Sequence, residues 1–391
     1  MLQAPVRAQE RFAVSTAFLP LVGCSIPEEF EKSTCPPRCH GHCKFKTRLE
    51  VQMERYQRGA VFGVLENKLL VKLVLRELRI PHTAWHYGAL IPPQRSDHGQ
   101  AVQVHPTVPW YERARLVAAM RAVPEHRFVL KPLTEGGTIG VTLMDEVRWQ
   151  RLAASSRNGD GNATAAESLA DLIERRSLLK KRSDWNQEYE HRGVILEERY
   201  DGPSGSSRAA DGIFELKTFV VFGVPTSIRL IPQRGKAMAP KHDAELVRDM
   251  ADASPGSRYR CLPNNSTTMA SVCEAATAWI NDVGNLRRLD DWAMRIGSAF
   301  GADWFRLDIF AGDARRGWVV NEVTYPSHLP FPSIVWTRYA RRYADRSSWK
   351  SVPEADILGR ISAATGLPAT FLTTRSDRWR ENGPSHHAIF V

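Results

Sequence analysis

Two short runs carry residue types that could do chemistry together. In FRLDIF (residues 305–310) Arg306 and Asp308 alternate along what reads as a strand, and in WVVNEVT (318–324) so do Trp318, Val320, Glu322 and Thr324. Side chains of a strand alternate between its faces, so Arg306 shares a face with Asp308, and Glu322 shares one with Thr324. A hairpin folded symmetrically about Arg315 sets Asp308 opposite Glu322 and Arg306 opposite Thr324. Two carboxylates facing each other across a sheet repel unless a cation lies between them, and their hard oxygens suit magnesium. The same periodicity points Asn321 to the opposite face. The competing expectation is a polar, solvent-facing strand pair that binds nothing.

Upstream, Lys131 ends the apolar run FVLK just before TEGGT, where Gly136 and Gly137 let the backbone approach a ligand closely. An ammonium at such a place can meet a phosphate held over backbone amides, although a lysine at a strand end is ordinarily solvated. GVILEERY is an apolar strand ending in Glu197 and Glu198. Its backbone can read an adenine edge while a carboxylate takes amino or ribose hydroxyl groups. Near the N-terminus Cys24, Cys35, Cys39 and Cys43 cluster with His40 and His42, and Pro36, Pro37 and Gly41 break any helix there. A loop can wrap these thiolates and imidazoles around zinc. Free or disulfide-paired thiols are the other expectation, because zinc motifs more often pair two Cys two residues apart.

The elements that must position these residues are legible as a sequence of helices and hairpins. NKLLVKLVLREL (67–78) places Leu70, Leu73, Val74 and Glu77 at helical steps, and Ile80-Pro81 stops it. HTAWHYGAL reads as a short strand, Trp110 to Arg121 as a helix, and FVLKPLTEGGTIGVTLM (128–144) as a hairpin. Residues 155–165 read as loop and Leu169 to Lys181 as helix with a basic, solvated end. Phe214–Phe222 and Thr226–Ile231 flank the turn Gly223-Val224-Pro225 as an antiparallel pair, residues 233–268 show little pattern, and two helices, Ala270–Asp282 and Leu289–Phe300, precede the hairpin 304–323. RYARRYADRSSWK (338–350) interleaves aromatic and basic residues, as an amphipathic helix packing its rings or as a grip for sugar or nucleic acid.

The whole chain of 391 residues is 43% hydrophobic and 25% charged, ordinary globular composition that excludes collagen-like or wholly disordered classes. No apolar run reaches the ~18 residues of a membrane span. Arg7 and Arg11 precede a weak apolar stretch, but Glu10 and Pro20 interrupt the layout of a secretory signal, so a cytoplasmic location is expected. A net charge of +10 favours anionic partners without choosing among nucleotides, acidic substrates and nucleic acid.

Taken in order, NKLLVKLVLRELRIP, FVLKPLTEGGTIGV, VILEERY, FELKTFVVFG, FRLDIF and VVNEVTYPS resemble the ATP-grasp superfamily over about residues 60–330. The Arg-x-Asp and Glu-x-Thr ending is similar to the metal-binding end of D-alanine:D-alanine ligase, with Thr324 where that family commonly has Asn. The Thr ending and the strand ELKTFVVFGVP are closer to ATP-grasp proteins of teichuronopeptide and polysaccharide biosynthesis. The resemblance implies an α+β fold of two lobes closing over ATP. It implies a 1–58 Cys- and Pro-containing extension, a 59–125 N-terminal α/β lobe, a 126–195 small ATP-grasp lobe, a 196–330 large lobe with the metal site, and a 331–391 C-terminal extension. It further implies that Lys68, Lys131 and Lys217 touch phosphates, with Gly136 and Gly137 in the loop over them. Glu197 and Glu198 would line the adenosine hinge and Glu215 the ribose or a nearby polar group. Arg306 would stabilise the reacting oxyanion, while Asp308, Glu322 and Thr324 would hold magnesium. Lys68 is otherwise an ordinary helix-start cation, and Glu215 and Lys217 an alternating polar face on an edge strand. The activity implied is ATP-dependent ligation of a carboxylate to an amine on a small-molecule or glycan-linked acceptor. A phosphotransferase and a basic module binding RNA or anionic glycan remain alternatives, with nucleic acid the less expected partner.

Overall fold

The structure, a computed structural model, describes residues 60–91, 106–134, 140–155, 161–178, 191–200, 213–221, 223–232, 244–248, 258–262, 267–302, 304–310, 317–324 and 353–374. The Cys24–Cys43 cluster, Gly136, Gly137, Arg315 and the 338–350 stretch lie outside them. In chain order the elements are helices α1 (Ala60–Leu65) and α2 (Lys68–Glu77), strand β1 (Trp85–Leu90), helix α3 (Arg113–Ala122), strands β2 (Phe128–Pro132) and β3 (Thr142–Leu143), helices α4 (Glu146–Ala154) and α5 (Gly161–Leu178), and strand β4 (Gly193–Glu198). Then come β5 (Ile213–Val221), β6 (Val224–Pro232), β7 (Ala244–Arg248), β8 (Tyr259–Leu262), α6 (Thr267–Ile280), α7 (Val283–Phe300), β9 (Trp304–Phe310), β10 (Val319–Thr324), α8 (Glu354–Thr365) and α9 (Ala369–Leu372).

The strands form two antiparallel sheets, a small one in the order β1-β4-β2-β3 and a large one in the order β10-β9-β5-β6-β7-β8. With helices on both, the fold is α+β. In the small sheet Phe128, Leu130, Val194 and Leu196 turn one face toward Leu116 and Met120 of α3, Trp149 of α4, and Leu169 and Ile173 of α5. In the large sheet Leu216, Leu230, Leu246, Leu307 and Ile309 bury the face that joins the core with Leu289, Ile296 and Phe300 of α7. Alternation leaves the other face to a row of charged residues. Glu322, Asp308, Lys217, Arg229 and Glu245 are successive cross-strand partners from β10 to β7.

A strap joins the sheets. Before entering β1, the chain lays His82 alongside Val320 of β10, Val320 N–H donates to Pro81 O at 2.8 Å, and Thr83 N–H donates to Val320 O at 3.1 Å. At the far end of the chain α8 and α9 bury Ile357, Ile361, Leu367 and Leu372 in the core that contains α1, α2 and α7.

Several elements differ from the sequence expectation. Residues 233–268, which carry little pattern, include β7 and β8; strands of five and four residues are too short to show a period, and β6 supplies the pairing that defines them. The stretch 155–165 is not all loop, since α5 begins at Gly161, and burial of Ala165 and Ala166 in the small core outweighs the low helix propensity of Gly and Asn. β6 already begins at Val224, directly after Gly223 at φ 71°, and the strands absorb Pro225 by a register slip between Phe219 and Val220. β1 hydrogen-bonds to β4, so residues 59–125 and 126–195 share one sheet. Cys261 of β8 and Cys273 of α6 form a disulfide, Cα atoms 5.8 Å apart.

Candidate active site

The site begins with the cap of α2. Asn67 Oδ1 accepts hydrogen bonds from the N–H groups of Leu69 and Leu70, both at 3.1 Å, while Asn67 Nδ2 donates to His191 O at 2.9 Å. Asn side chains at this position satisfy N–H groups that the first helical turn leaves open. The cap fixes the start of α2, and Lys68 and Lys72 then stand one turn apart on one face. Both lysines are buried. Lys68 Nζ donates to Leu133 O at 3.3 Å and lies 3.5 Å from Glu322 Oε1 on the large sheet.

Lys72 is a junction. Its ammonium is 3.2 Å from Glu197 Oε1 on β4, donates to Asn321 O of β10 at 3.2 Å, and hydrogen-bonds Thr83 Oγ1. Glu197 gives its other oxygen to Lys131 of β2, 2.7 Å away. The Glu197 carboxylate therefore lies between two lysines inside the protein and not open to solvent.

On the large sheet the hairpin pairs as the alternation predicts: Asp308 opposite Glu322, and Arg306 opposite Thr324. Arg306 forks Asp308, Nε to Oδ1 at 2.6 Å and Nη2 to Oδ2 at 2.8 Å, and Lys217 Nζ reaches Asp308 Oδ2 at 3.2 Å. Lys217 also lies 3.8 Å from Glu215. Asn321 corrects the sequence expectation. A register irregularity between Val320 and Glu322 breaks the period, and Asn321 Nδ2 donates to Glu215 Oε1 at 3.3 Å, on the side that periodicity denied it. Thr324 Oγ1 is buried and makes no hydrogen bond among the described residues.

The electrostatics follow from burial among opposite charges. Burial, then the nearby Asp308 charge, pushes Glu215 up to about 7. Burial also acts to raise Glu322, but Lys68, Lys131 and Arg306 outweigh it and hold that carboxyl below its ordinary range. For Glu197, Lys131 and Lys72 likewise outweigh burial and lower it. Burial brings Lys72 down to about 8 despite Glu197, whereas for Lys131 the carboxylates of Glu197 and Glu322 overcome burial and raise it. Lys68, Lys72, Lys131, Lys217 and Arg306 thus face Glu197, Glu215, Asp308 and Glu322 across the junction of the two sheets.

Whether magnesium fits is a question of donor chemistry. Asp308, Glu322 and the unsatisfied Thr324 hydroxyl are hard oxygens on neighbouring positions of one sheet face, which suits that ion. Among the described residues no group of three or more His, Cys, Asp or Glu converges as a metal cage. Magnesium is ordinarily held by one or two carboxylates together with substrate phosphates, so the set fits it.

Sequence reasoning missed Lys72, Thr83, Tyr200 and Phe310. The signal for Lys72 is its spacing of four from Lys68. Tyr200, just after β4, stacks on Phe310 at the end of β9 with ring centroids 4.6 Å apart and planes 11° from parallel, a pairing across sheets that no local pattern announces.

No protein-family model matches this chain, and no curated protein matches it either. Among solved structures it is similar to a RimK domain ATP-grasp protein from Sphaerobacter thermophilus DSM 20745, with 13% identity over 73% of this chain and 68% of that one, at a TM-score of 0.34. The ATP-grasp ligase PsnB complexed with precursor peptide PsnA2 and AMPPNP shows 12% identity over 75% of this chain and 55% of its own, at 0.28. The macrocyclase MdnC bound with precursor peptide MdnA, from Microcystis aeruginosa MRC, shows 8% identity over 81% and 74%, at 0.34. The chain thus spans little more than half of PsnB. Overlaps of this size assign neither a residue's role nor a substrate.

Proposed function

We propose that the protein is an ATP-grasp enzyme that uses ATP and magnesium to join a carboxylate to an amine through an acyl phosphate. The observation that carries this is the convergence of Lys68, Lys131, Lys217 and Arg306 with Asp308 and Glu322 where the two antiparallel sheets meet. These residues come from separate stretches of chain that the sequence resemblance had already set in order.

Lys68, Lys131 and Lys217 bind the phosphate chain, whose charge they match. The Tyr200–Phe310 pair offers aromatic faces for the adenine ring at the same junction. Glu198 is half-buried at the end of β4 and lines the adenosine side, whereas Glu197 is engaged by its two lysines. Asp308, Glu322 and Thr324 would hold magnesium, which when bound neutralises charge on the phosphate oxygens. Arg306 keeps its charge at any working pH and donates to the oxyanion that forms as the amine attacks the acyl carbon. Gly136 and Gly137 would close over the phosphates. The acceptor class, a sugar- or amino-acid-containing amine, and the affiliation with polysaccharide biosynthesis rest on the Glu-x-Thr ending and ELKTFVVFGVP alone.

The test is direct. A ligand at 100 times its dissociation constant stabilises by ~2.7 kcal/mol, so millimolar ATP with magnesium raises the unfolding midpoint of the wild type and raises it less for Lys131→Ala. Turnover with the right acceptor yields ADP, phosphate and an amide. A stable phosphorylated acceptor would make the enzyme a phosphotransferase. Polyanion binding with no response to ATP would leave only a binding module.

A further inference from the structure

Glu197 poses a problem for a phosphate site. A carboxylate 2.7 Å from Lys131 cancels most of the charge that the lysine brings to a phosphate, and burial of both groups strengthens the cancellation. The third member of the set is Lys72, whose ammonium lies 3.2 Å from the other Glu197 oxygen, itself almost wholly buried. Lys72 cannot reach a ligand from there. Its remaining donors go to Thr83 Oγ1 and to Asn321 O, so protein acceptors take all three N–H groups of the ammonium.

We propose that Lys72 is a positioning residue whose charge neutralises Glu197, leaving Lys131 to face the nucleotide as a cation that Glu197 does not cancel. The trio Lys72, Glu197 and Lys131 then carries one net positive charge, placed at the inner end of β2. Without Lys72 the same pair is neutral, and Glu197 holds Lys131 for itself. Glu197 in turn orients Lys131, because the ammonium is tied at 2.7 Å to a carboxylate fixed by backbone pairing of β4 with both β1 and β2. The Asn321 contact adds a link to the large sheet, at the irregularity that presents Glu322. This inference rests on the ATP reading of the site.

The test is a charge rescue read by binding of a non-hydrolysable ATP analogue with magnesium to the full chain. Lys72→Gln keeps an N–H donor for Asn321 O while removing the charge, and lowers affinity about tenfold or more, the effect of losing ~1.4 kcal/mol. Adding Glu197→Gln to that variant frees Lys131 again and restores affinity to within a few-fold of wild type. A purely structural Lys72 would give a double variant as weak as, or weaker than, the single one, and that result overturns the proposal. So does a Lys72→Gln protein that binds as wild type does. If Lys72→Gln fails to fold, Lys72→Met with and without Glu197→Gln is compared by the same measurement, and a rescue in folding without a rescue in affinity again counts against it. Should the wild type itself not bind the analogue, the ATP reading falls, and this inference with it.

Discussion

Asp308 accepts from three donors at once, two on Arg306 and one on Lys217, so no single substitution there is silent. On the role proposed for Arg306, Arg306→Ala removes the fork and the oxyanion donor together, and turnover is expected to fall ~100-fold or more, on the scale of losing one such donor, while ATP affinity changes far less. Arg306→Lys does not restore it, because an ammonium lacks the two parallel N–H groups that match a carboxylate. Steady-state kinetics with separate kcat and KM decide both points. A different residue contributes to acid stability. Burial holds His191 down to about 4, and the ring stacks on Phe371 of α9 with centroids 4.4 Å apart. The unfolded chain takes up that proton near 6.5 and the folded one only near 4, so stability falls as pH drops through this window, by about 3 kcal/mol at its lower end. His191→Gln flattens that loss in urea melts run between pH 7 and 4. A melt series with unchanged slope would remove His191 as the cause.

Helix α2 works because its cap and its burial act together. Asn67→Ala leaves two backbone N–H groups without their acceptor and frees His191 O, costing ~1 kcal/mol or somewhat more in chemical denaturation. The same helix shows why part of the site was legible and part was not. The Leu70, Leu73, Val74 period located α2, and alternation set the β9–β10 register correctly down to Asp308 opposite Glu322. Periodicity failed at Asn321, where one irregular residue reverses the face, and at Lys72, since a lysine within a helix ordinarily reaches solvent and only tertiary packing buries it. β8 carries a further element-scale prediction. Its Cys261 is bound to Cys273 of α6, twelve residues on, and a loop of that length stabilises by ~3 kcal/mol through restriction of the unfolded chain. Reductant or Cys273→Ala should lower the urea midpoint accordingly. Such bonds persist in oxidising compartments and are uncommon in the cytoplasm, so thiol counting on freshly lysed cells tests the cytoplasmic expectation at the same time.

Across the whole molecule the two sheets share one site and, through α1, α2, α7, α8 and α9, one main core. The C-terminal segment, expected as an extension, contributes Ile357, Leu358, Ile361, Leu367 and Leu372 to that core. Leu372→Ala, at a side chain with no exposure, should cost ~2–5 kcal/mol, and a chain ending before residue 353 should aggregate, as size-exclusion chromatography would show. That role was hidden because a helix such as EADILGRISAAT states that one face is apolar without saying which neighbour covers it. The charged row from Glu322 to Glu245 was likewise invisible as a row, since its members come from five strands spread over more than a hundred residues, although its pairs could be read strand by strand.

The strap of residues 81–83 on β10 also bears on how the protein is made. Pro81 and Thr83 leave the ribosome some 240 residues before Val320, the strand residue they hydrogen-bond. Until then β1 has its β4 neighbour within reach but its entry is untethered, and Lys72 lacks the Asn321 carbonyl to which it donates. A nascent chain stalled before β10 therefore lacks Glu322, the carboxylate 3.5 Å from the buried Lys68 ammonium, while Glu197 and Asp308 are already made. The start of α2 then carries a positive charge that must stay hydrated, and so stay open, until synthesis has passed Glu322.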